Sequence, residues 1–227
     1  GERAACNYRA AVEYDGTDYA GFQLQTGRPT IQGELEQALR RLTGEQVRVH
    51  GAGRTDAGVH AKGQVVSFRA VWRHPLATLQ RAMNAVLPRD IAIRELTEAE
   101  ASFHARYSAT RRLYVYRVYC GVTRSPLLDR FAHYVAGALD VAKMNVAAGC
   151  LLGTHDFAAF GQPTMGDITL RHVLRAEWSA EGAEARPGSC QCCRFEIEAN
   201  AFLRGMVRRI VGALLLVGLG AMATGEF

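Results

Sequence analysis

This sequence predicts an α+β fold built from two ferredoxin-like βαββαβ repeats, the second lacking its final strand. Three observations carry that prediction. Apolar runs of period two and period 3.6 succeed each other in the order βαββαβ between Tyr8 and Leu96. The same succession starts again at Arg111, and helix-capping residues stand where both repeats need them.

The first repeat opens with a strand, Tyr8 to Tyr14, ended by Asp15-Gly16. Thr30 then caps a helix whose Ile31, Leu35, Leu39 and Leu42 fall on one face, and Gly44 stops it. Val47 to His50 alternates as a short strand, and Gln64 to Arg69 is a β-branched and aromatic run that reads as another. A helix from Pro75 to Val86, with proline in its first turn, and a strand from Ile91 to Leu96 complete the unit.

In the second half, Arg111 to Cys120 forms a strand with Tyr114 and Tyr116 on one face and Val115 and Tyr119 on the other. Asp140 caps a helix expected to run to Leu152 and close at Gly153. Strands follow at Leu170 to Trp178 and Arg194 to Ala199, then a long helix from Phe202 to Val217. That gives βαββα, so either the chain is truncated or the repeat is incomplete, and an edge would be left unpaired. The predicted division is 1–104 and 105–227.

Composition narrows the class. With 227 residues, 48% of them hydrophobic, the chain can build a substantial core. Its net charge is +5, and of 27 basic residues only two are lysines. Arginine forks onto phosphate and stacks on bases, so a polyanionic partner is expected, although arginine-rich coding could give the same bias. The N-terminal residues contain no apolar signal core, and the apolar stretch from Ile210 to Thr224 is too short for a bilayer, which needs about 20 residues. A cytoplasmic protein without a membrane anchor is expected. Cys190, Cys192 and Cys193 crowd together while Cys6, Cys120 and Cys150 are scattered, with no histidine at finger spacing, so reduced thiols are expected rather than zinc or disulfides.

The loop 51–61, Gly51-Ala-Gly-Arg-Thr-Asp-Ala-Gly-Val-His-Ala61, is the strongest functional signal. It places Asp56 two residues after Arg54 amid Gly51, Gly53 and Gly58. It lacks the Gly-Lys-Ser/Thr of a Walker loop, and it leads into a strand rather than the helix a dinucleotide fingerprint requires. Residue reading alone leaves two alternatives open, a hairpin whose aspartate caps its own backbone and an ordered functional loop.

Elsewhere, Arg204 and Arg208 stand four apart, with Arg209 beside them, in a segment otherwise apolar at Phe202, Met206, Ile210 and Leu214. They could face a carboxylate, solvent or phosphate. Tyr114 and Tyr116 follow Arg111 and Arg112, a pattern suited to base stacking but equally to core packing. His104 and the pair His155, Asp156 have no third ligand at useful spacing, so no metal is expected.

Six segments resemble the bacterial tRNA pseudouridine synthases of the TruA type, in the family's order along nearly the whole chain. They are Glu13-Tyr-Asp-Gly16, Gly53-Arg-Thr-Asp-Ala-Gly-Val-His60, Phe103-His-Ala-Arg106, Tyr114-x-Tyr116, Leu152-Gly-Thr-His-Asp-Phe157 and Phe202-Leu-Arg-Gly-Met-Val-Arg208. The second is highly specific. The resemblance implies a pseudouridine synthase fold, Asp56 as catalytic aspartate, Tyr114 as the tyrosine on the target base and Arg208 as the arginine paired with the aspartate. It further implies a homodimer acting without a cofactor on uridines of the tRNA anticodon stem-loop. Arg54, Arg111, Arg112 and Arg204 are the candidates for phosphate contact, chosen for their position near these motifs. Family members continue with a helix and closing strand after the region equivalent to Gly218, which agrees with the missing strand.

Two other readings remain. A non-catalytic RNA-binding module would need aromatic residues where Lys62-Gly-Gln-Val-Val-Ser-Phe68 places Gln64 and Val66. An inactive remnant of the enzyme is the other.

Overall fold

The computed structural model describes residues 4–163, 166–181 and 191–227. The chain divides into two compact units, Gly1–Ala109 and Thr110–Phe227.

In the first unit the elements run β1 (Cys6–Tyr14), α1 (Ile31–Thr43), β2 (Val49–Gly51), β3 (Ala61–Ala70), α2 (Leu76–Val86) and β4 (Ile91–Ala99). The sheet order is β2-β3-β1-β4, each neighbouring pair antiparallel, so β1 and β2 run parallel with β3 between them. Strand β1 shows why one face is core. Tyr8, Ala10, Val12 and Tyr14 alternate inward and are at most 3% exposed, while Arg9, Ala11 and Glu13 stay half-exposed. Against that face α1 lays Ile31, Leu35 and Leu39, and α2 lays Leu79 and Met83. Thr30 Oγ1 accepts from Gly33 N, and Gly44 adopts φ 76°, so both predicted caps of α1 hold. Pro75 is the N-cap of α2 rather than part of its first turn.

In the second unit come β5 (Arg112–Gly121), β6 (His133–Ala136), α3 (Val141–Gly149), β7 (Gly153–Asp156), a 3-10 turn (Ala158–Phe160), β8 (Leu170–Glu181), β9 (Gln191–Ala199) and α4 (Met206–Gly218). The sheet order is β6-β5-β9-β8-β7. Trp178 stacks on Phe195 at 5.1 Å in a core that also holds Met144, Ile197, Met206, Ile210 and Leu214. Cys193 is buried there, and burial, reinforced by Cys120, Cys192 and Glu181, pushes its thiol up to about 12, which makes it a packing residue. Cys190 lies outside the described residues.

Three features of this unit differ from expectation. The edge of β5 is paired, because β6 lies parallel to it from Val118↔His133 to Gly121↔Ala136. Helix α3 ends at Gly149, and Gly153, at φ 95°, starts β7 instead of closing the helix. Helix α4 begins only at Met206, because Gly205 takes φ 75° and breaks the helical path before it. Residues 202–204 are therefore not helical. Among the described residues no helix is long and apolar enough to cross a membrane.

Candidate active site

The residues 52–60 that join β2 to β3 are held by neighbours on both sides. Ala52 N–H donates to Val65 O at 2.8 Å, and Gln64 substitutes for one further rung of the ladder. Its Oε1 accepts from Gly53 N–H at 3.3 Å while its Nε2 donates to Gly53 O at 2.8 Å. Thr55 O accepts from Phe22 N–H at 3.0 Å, and Gly58 N–H donates to Tyr19 O at 3.3 Å. The Tyr14 hydroxyl meets Thr55 Oγ1 at 2.8 Å.

Two glycines make this docking possible. A Cβ on Gly16 would stand 2.1 Å from Val59 O, and one on Gly21, whose φ is 107°, would stand 2.7 Å from Thr55 O. The segment 15–22 thus lies against the loop at backbone contact, a distance only glycine permits. His60 Nδ1 lies 3.1 Å from Gly16 N and 2.9 Å from Asp15 Oδ1, so it accepts from the amide when unprotonated there and donates to the carboxylate when protonated. Behind this segment Tyr19 donates its hydroxyl to Asp90 Oδ1 at 2.7 Å, and Asp15 N–H donates to Asp90 O at 2.9 Å. Burial, then the hydrogen bond and charge of Asp90, hold the Tyr19 hydroxyl far above the usual tyrosine range.

Asp56 opens a four-residue turn in which Val59 N–H donates to Asp56 O at 3.2 Å and Gly58 adopts φ 76°. Its side chain is half-buried, with Ala57 and Gly58 exposed at the tip and Arg54 exposed on the approach. A carboxylate on a loop tied at Gly53, Thr55 and Gly58 is pre-positioned, which is what a nucleophile or general base requires.

The second unit gathers other candidates around the start of β5. Tyr114 is half-buried and packs edge-on against Phe202, with ring centroids 5.0 Å apart. Arg112 donates to Asn200 O at 2.7 Å, and Arg111 pairs with Glu198 at 3.1 Å. Arg111 is exposed, and a guanidinium carries five donors. Arg204 is exposed, and its backbone N–H donates to Gln162 O at 2.9 Å. It precedes α4, so the shared helical face expected for Arg204 and Arg208 does not exist. Arg208 is exposed in the first turn of α4, and its charge reaches Tyr116, whose pKa is raised by burial and partly restored by that arginine.

Sequence reasoning passed over the supports of the loop. Tyr14 and Asp15 were inside a recognised motif but had no assigned role. Tyr19 and Asp90 are 71 positions apart and carried no pattern that could have joined them. Among the described residues no group of three or more His, Cys, Asp or Glu is placed to hold a metal.

The model of the tRNA pseudouridine synthase family matches residues 10–108 and 147–227, which include the Asp56 loop, β8, β9 and α4. The chain belongs to that family. It is similar to a tRNA pseudouridine synthase A of Roseiflexus castenholzii, with 46% identity over 97% of this chain and 80% of the relative. A protein of that name from Chlorobaculum tepidum is 43% identical over 99% of this chain and 88% of its own length. Another from Francisella tularensis subsp. novicida is 38% identical over 94% and 80%.

Proposed function

We propose that this family member isomerises uridine to pseudouridine in tRNA, with Asp56 as the catalytic carboxylate. The observation that carries the proposal is the clamped loop. Within a match to a family of this activity, a glycine-rich connection is pressed against residues 15–22 at backbone contact and presents one half-buried aspartate. Holding that geometry needs two glycines no alanine could replace without displacement, and a hairpin aspartate that merely capped its own turn would not require it.

The reaction breaks the bond from ribose C1′ to uracil N1 and makes one from C1′ to C5, releasing the C5 proton to solvent while N1 takes up a proton. It changes no oxidation state, and a carboxylate can start it by adding to C6, attacking C1′ or removing the 2′ proton. The target base must first leave its stack, at a cost of a few kcal/mol that contacts to phosphate offset. Tyr114 is assigned to the flipped base. Arg54, Arg111, Arg112, Arg204 and Arg208 are assigned to substrate binding. The substrate region is the anticodon stem-loop and the acting species a homodimer, as the resemblance implies, and the compartment is the cytoplasm that reduced thiols suit.

The two units are read as ferredoxin-like repeats of a pseudouridine synthase fold. Support comes from the order β2-β3-β1-β4 in the first and β5-β9-β8, with a helix before β8 and another after β9, in the second. The test is incubation of the intact chain with tRNA tritiated at uridine C5. Catalytic tritium release is expected, and binding without release would favour the non-catalytic module.

A further inference from the structure

Beside the catalytic loop, three rings form a column. His50, at the exposed middle of β2, lies 4.7 Å from His104 between ring centroids and tilted by 38°; His104 lies 4.5 Å from Tyr107, tilted by 39°. The column ends in solvent, since Tyr107 is 75% exposed. Arg106 sets its guanidinium carbon over the Tyr107 ring, 5.7 Å from the centroid.

This exposed ring is not on a loose tail. Ser108 N–H donates to His104 O at 2.8 Å, His104 N–H donates to Ser108 Oγ at 3.1 Å, and Arg106 N–H donates to His104 Nδ1 at 3.1 Å. Between them Ala105 is 2% exposed and donates its N–H to Ser67 Oγ on β3 at 3.0 Å, while Phe103 O accepts from Asn7 on β1. A ring already held in place loses little freedom when a flat partner stacks on it.

We propose that Tyr107, backed by His104 and His50 and accompanied by the Arg106 guanidinium, is a stacking platform for an unpaired nucleobase of the substrate RNA. The assignment rests on the tRNA reading above and adds a second base-contacting position to Tyr114. A π-face beside a guanidinium suits a base and its phosphate, in a chain of net charge +5. His50 is six residues from Asp56, a chain reach of at most about 20 Å, and Tyr107 stands two ring spacings beyond it, so the platform serves nucleotides within several positions of the reacting one.

The test titrates tRNA against the intact chain and its Tyr107→Ala, Tyr107→Leu and Tyr107→Phe variants at one salt concentration, with thermal melts as a fold control. Loss of the ring in Ala and Leu is expected to weaken binding about tenfold or more, with Phe within about twofold of the native chain. The loss should be absent on a fully paired RNA duplex. Native-strength tRNA binding by Leu would overturn the proposal, since a surface for an apolar protein side chain would tolerate both, and so would an equal loss on the duplex. Tritium release by the native chain is scored separately. Its absence defeats the proposed activity, whereas the binding series judges the platform in either case.

Discussion

Replacing Gly16 by alanine probes the Asp56 loop without touching it. The new methyl would stand 2.1 Å from Val59 O and 2.7 Å from Val59 C, both backbone atoms, against about 3.4 Å for an ordinary contact. Segment 15–22 and the turn that begins at Asp56 must therefore separate by on the order of 1 Å, a misplacement that can cost about 100-fold in rate. Overpacking of this kind also costs about 1–3 kcal/mol of stability. Gly63→Ala is the control, because nothing lies within 4 Å of its Cβ position and its backbone is not left-handed. Tritium release, tRNA affinity and melting temperature are measured for both. Gly16→Ala should lose most of its turnover while remaining folded and binding tRNA, and Gly63→Ala should match the native chain. Near-native turnover in Gly16→Ala would show that the packing against Val59 does not position the carboxylate.

Three further outcomes are expected. Tyr14→Phe deletes the hydroxyl at Thr55 Oγ1 and should cost about 0.5–1.5 kcal/mol in denaturant unfolding, with a lower kcat; unchanged values in both would remove Tyr14 from the support of the loop. Tyr114→Phe keeps the edge contact with Phe202, so binding of tRNA should persist, whereas Tyr114→Leu should weaken it by about 1–3 kcal/mol; equal, near-native activity in both would make Tyr114 a packing residue. His50 is held below its ordinary pKa by burial, then by His104 and Arg48, with Glu36 opposing. Its unfolded form therefore binds a proton first, near pH 6.5, so the stability it contributes above that pH is lost as pH falls toward the lower folded value. Melts of His50→Gln should show a flatter decline below about pH 6.5, and an unaltered decline would refute the assignment.

The first unit was legible because its signals are local. Thr30 and Gly44 cap α1 by their own chemistry, and the alternation in β1 needs no distant partner. The second unit hid β6 and β7, four residues each, since His133–Ala136 and Gly153–Asp156 carry no alternation and exist through pairing with β5 and β8. The start of α4 was misplaced because Phe202, Met206 and Ile210 keep helical spacing, while Gly205 at φ 75° interrupts the backbone. At the site, the Asp56 loop announced itself by composition. Its supports did not, because the links from Tyr14 to Thr55 and from Tyr19 to Asp90 join residues 41 and 71 positions apart.

The carboxylate itself is tested most directly by comparing tritium release from C5-labelled tRNA by the native chain and by Asp56→Asn, with tRNA affinity measured on the same preparations. The substitution keeps the size of the side chain and removes its charge and basicity. Asp56→Asn should release no tritium above background while binding tRNA within about tenfold of the native chain, because the aspartate acts in the transition state rather than in holding phosphate. Release at a comparable rate by Asp56→Asn, or turnover and binding lost in parallel, would contradict its catalytic role.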